Sequence, residues 1–182
     1  MDLSLLLALA GGVGIAAACG LRAFLPLLVV GLAARLGLVQ LRPGSEWLAG
    51  DIALVALGAA TVLEIAADKI PLVDHALDAI ATVLRPMAAW MGATALLVNW
   101  PSPLRQLVAL TLAAGALALH GAKAKLRLGS TGLTAGHANP LLSVAEDAVA
   151  LLLAAAVLVP FLAVLAVALV AWVLSRRRAR TA

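Results

Sequence analysis

Charge is scarce in this sequence. Asp, Glu, Lys and Arg together make up 12% of its 182 residues, against 64% hydrophobic residues. A water-soluble core needs far fewer apolar runs than the Leu, Ala and Val stretches that recur here, so a soluble fold is not expected. Cys19 is the only cysteine, which rules out an internal disulfide. There is no glycine-rich phosphate loop, no cysteine metal cluster and no nucleophile elbow. A cleaved leader is not expected either. AAACG (Ala16–Gly20) has the look of a lipoprotein site, but Met1-Asp2 gives no basic n-region and a second apolar segment follows at once. These absences leave an all-α integral membrane protein built as one compact bundle.

The formal net charge of +4 owes much to Arg176, Arg177, Arg178 and Arg180. Directly after an apolar segment, such a tail reads as a topology anchor and not as a nucleic-acid patch. The expected layout is a transmembrane helical domain over 1–174 and a basic cytoplasmic tail over 175–182. The protein would be multi-pass in the inner (plasma) membrane with both termini cytoplasmic. With the tail counted, lysines and arginines split seven on the terminus side to six opposite, so the tail carries the orientation.

Apolar periodicity and breakers predict about six spanning helices, near 3–19, 20–37, 51–69, 78–100, 104–126 and 141–174. Gly11, Gly12 and Gly14 give the first a slim face. Pro26 breaks the entry of the second, and Pro86 kinks the fourth. Arg127–Pro140 (RLGSTGLTAGHANP) reads as a loop, with Ser143 and Glu146 in capping-box spacing after it. The last segment would be about 51 Å long, past a ~30 Å hydrocarbon core. With no turn residues beside Pro160, it is expected to stay one tilted helix that begins in a polar region. In this arrangement Trp47, Trp100 and Trp172 share the terminus-side interface, while Trp90 is expected between helices. LEIAADKI (Leu63–Ile70) aligns with LHGAKAKL (Leu119–Leu126), a trace of tandem duplication of the kind transporters carry.

The most informative stretch is EIAADKIPLVDHALDAIATVLRP, Glu64–Pro86. It reads as two helices meeting at a polar elbow near Pro71, with the second starting at Asp74 or Asp78. Nearly all polar residues outside the tail converge on one half of the bundle: Arg22, this run, His120, Lys123, Lys125, Arg127, Ser143, Glu146 and Asp147. Charges at membrane depth are costly, so this convergence marks a functional hypothesis.

The set GLRAFLP (Gly20–Pro26), EIAADKIPLVDHALD (Glu64–Asp78), RP (Arg85–Pro86) and TAGHANPLLSVAED (Thr134–Asp147) resembles domain-of-unknown-function family 4126. That family comprises small helical membrane proteins of bacteria with relatives elsewhere. The DKIP-x-x-D and ED elements are the specific parts. The resemblance implies a membrane location and no particular activity, so function rests on the residues.

Candidate ligand- or ion-binding residues are Arg22, Glu64, Asp68, Lys69, Asp74, Asp78, Arg85, Glu146 and Asp147. The acids suit a divalent cation as cofactor, with Asp74, His75 and Asp78 as the metal-ligand candidates. Asp68, Asp74 and Asp78 would coordinate or relay a small ion or polar solute, and Lys69, Arg22 and Arg85 would balance charge in the empty site. This transporter- or channel-like reading leads. A metal-dependent membrane enzyme acting on a lipid phosphate is an alternative, although no nucleophile is evident and an acid-phosphatase pattern fails because no histidine follows His137. A third reading is a structural or assembly protein whose acids pair with nearby cations. Two readings stand for His120 and His137: metal ligands or proton carriers, since histidine titrates near neutral pH, and the favoured one, hydrogen-bonded residues at a helix end and in a loop. Expected partners are the lipid bilayer and a second copy or another membrane protein; nucleic acid is not expected.

Overall fold

The computed structural model describes residues 3–67, 71–134 and 139–156, with side chains described over 3–67, 80–132 and 141–156. Among the described residues the chain is all-α: α1 (Leu3–Leu21), α2 (Leu25–Arg35), α3 (Asp51–Ala67), α4 (Pro71–Leu96), α5 (Ser102–Thr134) and α6 (Asn139–Ala155). A short 3-10 turn at Glu46–Ala49 precedes α3.

α1 is the axis of the bundle and packs against α4, α5 and α6. Its composition explains the position. Ala10, Gly11, Gly12, Gly14, Ala16 and Ala18 are buried, and small residues let neighbouring backbones come close. The tightest glycine approach on α1 lies nearly two turns beyond the glycines singled out from sequence. A methyl group on Gly20 would sit 2.9 Å from the Ala116 carbonyl oxygen and 2.9 Å from the Leu119 Cβ, whereas one on Gly12 meets Leu112 at an ordinary 3.5 Å. Ile15, Cys19, Leu27, Val30 and Ala89 fill the core around this contact.

α2 runs for only 11 residues and packs on α3, α6 and the 3-10 turn. Its end is well defined. Gly37 adopts φ +73°, its amide donates to the Ala34 carbonyl, and the Leu38 amide donates to the Ala33 carbonyl. This is the Schellman arrangement, which satisfies the last carbonyls and favours glycine at the left-handed position. The loop that follows is tied to the end of α4 by the Arg42 amide on the Ala95 carbonyl at 2.9 Å.

Several expected boundaries move. α4 begins at Pro71, not at Asp74 or Asp78, because proline at the first helical position gives up an amide that has no helical acceptor anyway. Pro86 lies inside this continuous helix. α5 continues through the predicted loop to Thr134, with the Thr131 hydroxyl bonded back to the Arg127 carbonyl. α6 starts at Asn139, so Ser143 and Glu146 lie within the helix and form no capping box at its entry. Trp90 is not buried between helices: it is 37% exposed, and its indole N–H donates to the Gln106 side-chain oxygen at 3.1 Å. A buried indole would need a partner inside the core, and at the α4–α5 surface Gln106 supplies one. Trp172, Pro160 and the tail lie outside the described residues.

α1 and the Ser102–Gly132 part of α5 are long and apolar enough to cross a membrane; α2 is apolar but short. Large apolar side chains face outward on all six helices, among them Leu3, Leu32, Ile52, Val83, Leu107 and Leu141. Soluble monomers seldom expose so much apolar surface.

Candidate functional site

The chain breaks between α1 and α2, at Arg22–Phe24, and a charged cluster gathers around the break. Two facts of helix chemistry set the problem. The last carbonyls of α1 and the first amides of α2 lack helical partners, and the dipoles leave negative charge at the first and positive charge at the second. Pro26 makes the break local in origin, since it cannot donate to the Arg22 carbonyl.

Side chains from distant elements answer both ends. Glu64 on α3 accepts the amide protons of Ala23 at 2.9 Å and Phe24 at 3.2 Å. A carboxylate thus sits at the amide end of α2, where Phe24 offers no side-chain cap. At the carbonyl end, Lys123 on α5 donates to the Leu21 carbonyl at 3.3 Å, and Arg85 on α4 approaches the Gly20 carbonyl at 3.5 Å. Cations meet the negative terminus and an anion meets the positive one.

The remaining contacts form two ion-pair groups. Arg22, fully buried, donates to the Ser143 hydroxyl at 3.0 Å and meets Asp147 on the same helix face of α6 at 2.5 Å. Glu146, next to Asp147, bonds Lys123 at 2.9 Å and Arg127 at 2.7 and 3.3 Å. Lys123 and Arg127 are four residues apart, which puts both on the α5 face that meets Glu146. This pairing explains why α5 stays helical past the point where its composition suggests a loop.

Arg85 links the halves. Its guanidinium lies 3.9 Å from the Glu64 carboxylate and contacts Nδ1 of His120, whose Nε2 faces the Thr82 hydroxyl at 3.4 Å. Burial is deep: Arg22 is 0% exposed, Arg85 2% and His120 4%. Thr82 also lines a groove of about 450 Å³ between α4 and α5, together with Val83, Pro86, Met87, Trp90 and Leu110.

Of the residues proposed from sequence, Arg22, Glu64, Arg85, Glu146 and Asp147 come together here. Asp68 and Lys69 lie outside the described residues, as do His137 and the side chains of Asp74, His75 and Asp78, although α4 carries these last three. Among the described residues there is no group of three or more His, Cys, Asp or Glu placed to hold a metal ion. His120, Lys123, Arg127 and Ser143 were not among the site candidates and belong to the cluster. Their signal was spacing: 120, 123 and 127 share one helix face in an otherwise apolar helix. Chemically, the cluster presents fixed charges of both signs at a helix break, which suits holding an ion or a small polar group.

No curated protein and no solved structure matches the chain. A family model matches residues 9–179, nearly the whole length and every element of the cluster, and the chain therefore belongs to the family described as Domain of unknown function (DUF4126).

Proposed function

We propose that the chain is a multi-pass protein of the inner (plasma) membrane, with six spanning helices and cytoplasmic termini, that binds and passes a small ion or polar solute at the α1–α2 break. One observation carries the reading: the broken helix whose free amides rest on Glu64 and whose free carbonyls rest on Lys123 and Arg85. Discontinuous helices that present their ends to a polar site are how many transporters bind substrates within the bilayer. The break lies about 28 Å along α1 and Glu64 about 20 Å along α3, which sets the site toward one face of a bundle spanning a ~30 Å core, as a cavity reaching half-way through the membrane would be. Arg22, Arg85, Lys123 and Arg127 supply positive charge, and Glu64, Glu146 and Asp147 negative charge. Asp68, Lys69, Asp74 and Asp78 are assigned to the same polar half, as relay and balancing groups.

A second reading is favoured by the pairing itself. Each of Glu64, Glu146 and Asp147 meets a cation or backbone amides, as ion pairs that only orient helices would. Flux in proteoliposomes separates the two. Passage of a cation, proton or anion through the wild type, lost in Glu64→Gln with the fold retained, supports the site. No passage of any tested ion by folded protein would leave the structural reading. Native mass spectrometry of wild type beside Asp74→Asn/Asp78→Asn would show whether a metal ion or other ligand is held and depends on those residues.

A further inference from the structure

A groove of about 380 Å³ opens at the end of the bundle opposite the charged cluster, where α1 begins and α4 ends. Its walls are fixed to one another. The Trp100 indole N–H donates to the Leu5 carbonyl at 3.3 Å, which ties the α4–α5 connection to the start of α1. The Arg42 amide on the Ala95 carbonyl ties the loop after α2 to the end of α4. Gly37, in the left-handed conformation, turns that loop so that residues 38–40 line the groove. The space is therefore part of the packing.

Polarity changes with depth. Ser4 stands at the start of α1, Asn99 lies beyond the last residue of α4, and Gln40 is in the loop; all three are exposed at the mouth. Leu7, Gly11 and Leu96 lie further in, and Gly11 is about 10 Å along α1 from Ser4. The headgroup layer adds about 5–8 Å on each side of a ~30 Å hydrocarbon core, so a groove of this length runs from headgroup level into hydrocarbon. Trp100, beside Asn99, carries the amphipathic ring that membrane interfaces favour. No hydrogen bond joins the side chains of Ser4, Gln40 or Asn99 to another described residue.

We propose that this groove holds one glycerophospholipid of the adjoining leaflet. A serine hydroxyl and two side-chain amides are hydrogen-bond donors without charge. The lipid groups that match them are the ester carbonyls, acceptors at the boundary of headgroup and tail. An acyl chain then lies along Leu7, Gly11 and Leu96. None of the described lining residues is charged, so the groove has no grip on a phosphate or on a charged headgroup. Binding follows the ester linkage and is indifferent to the headgroup.

The inference rests on the membrane placement proposed above and not on ion passage. The test is native mass spectrometry of the full chain, stripped of lipid and titrated in detergent micelles. The probes are a diester phosphatidylethanolamine, its diether analogue of equal chain length, and a diester phosphatidylglycerol. The first lipid bound should favour the diester over the diether about tenfold, since the ether has no carbonyl to accept. Exchange of the headgroup should change affinity less than about threefold. Gln40→Leu/Asn99→Leu, at two exposed positions, should lose about tenfold for the diester and leave diether binding unchanged. Equal affinity for diester and diether would overturn the inference. So would affinity that tracks headgroup charge, or a variant that binds the diester as wild type does. The ester–ether comparison needs only the wild type, so a misfolded variant does not shield the inference. Absent flux in liposomes would sink the passage reading and leave this result standing.

Discussion

Glu64 caps the start of α2 from 40 residues away, its carboxylate accepting the amide protons of Ala23 and Phe24. Helix N-termini usually find their cap in the preceding residue, but Phe24 occupies that position here and supplies none. The stability of the break therefore depends on a tertiary contact.

Replacing Glu64 tests that dependence. Glu64→Ala removes the acceptor of the Ala23 and Phe24 amides and the carboxylate 3.9 Å from Arg85, and should cost roughly 3 kcal/mol. Glu64→Gln keeps one acceptor oxygen and should cost about half as much. Thermal unfolding in one detergent, read from helical circular dichroism, gives the comparison. Equal loss in the two variants would contradict the capping role.

Arg22 and Asp147 should be strongly coupled. Arg22→Met alone leaves Asp147 unpaired in the bundle and is expected to cost about 3 kcal/mol or more, as is Asp147→Leu alone. The double variant Arg22→Met/Asp147→Leu should recover most of that loss, since apolar pairs often replace buried ion pairs without penalty. A double-mutant cycle on unfolding free energies measures the coupling. If the double variant folds but loses ion passage, the pair serves more than packing.

Glu146 holds two cations, so losses on its two sides should be unequal. Glu146→Gln deprives both Lys123 and Arg127 of their carboxylate, whereas Lys123→Met leaves the Arg127 pair intact. The first should cost about 1–2 kcal/mol more stability than the second, read as the lower melting temperature of the two. The reverse order would mean that the Lys123 bond to the Leu21 carbonyl is the dominant contact.

Two glycine substitutions should move stability in opposite directions. Gly20→Ala forces a methyl to 2.9 Å from the Ala116 carbonyl oxygen and should cost about 1–3 kcal/mol by separating α1 from α5. Gly58→Ala on α3 meets nothing within 4 Å and should gain about 0.5–1 kcal/mol from helix propensity. Melting temperatures of the two variants, each beside wild type, check the signs.

Much of this was legible in the chain itself. Apolar runs and prolines located the helices, and the polar residues at 22, 64, 85, 120, 123, 127, 143, 146 and 147 were assigned to one half of the bundle before any coordinates. What local signals misplaced were ends. Gly129 and Gly132 suggested a loop, but Arg127, held by Glu146, keeps that turn helical. Ser143 and Glu146 matched a capping box in spacing, yet their partners are Arg22, Lys123 and Arg127. Trp90 was expected between helices because it falls away from the interface assigned to Trp47, Trp100 and Trp172, and Gln106 holds it at the surface.

The sequence by itself determined the class and the chemical inventory. A 64% hydrophobic chain with few charges forms apolar helices, and Pro26 leaves the Arg22 carbonyl without a helical donor. It did not determine who pairs with whom. Several cations and several acids on adjacent helices permit many combinations, each consistent with helical spacing. Only the packing of α3 on α2 selects Glu64 for the amides, and only the packing of α1 on α5, brought close by Gly20, selects Lys123 for the carbonyl. The pairing also depends on distance in three dimensions, because ion pairs and hydrogen bonds act over a few ångströms while their partners here lie as far as 121 residues apart.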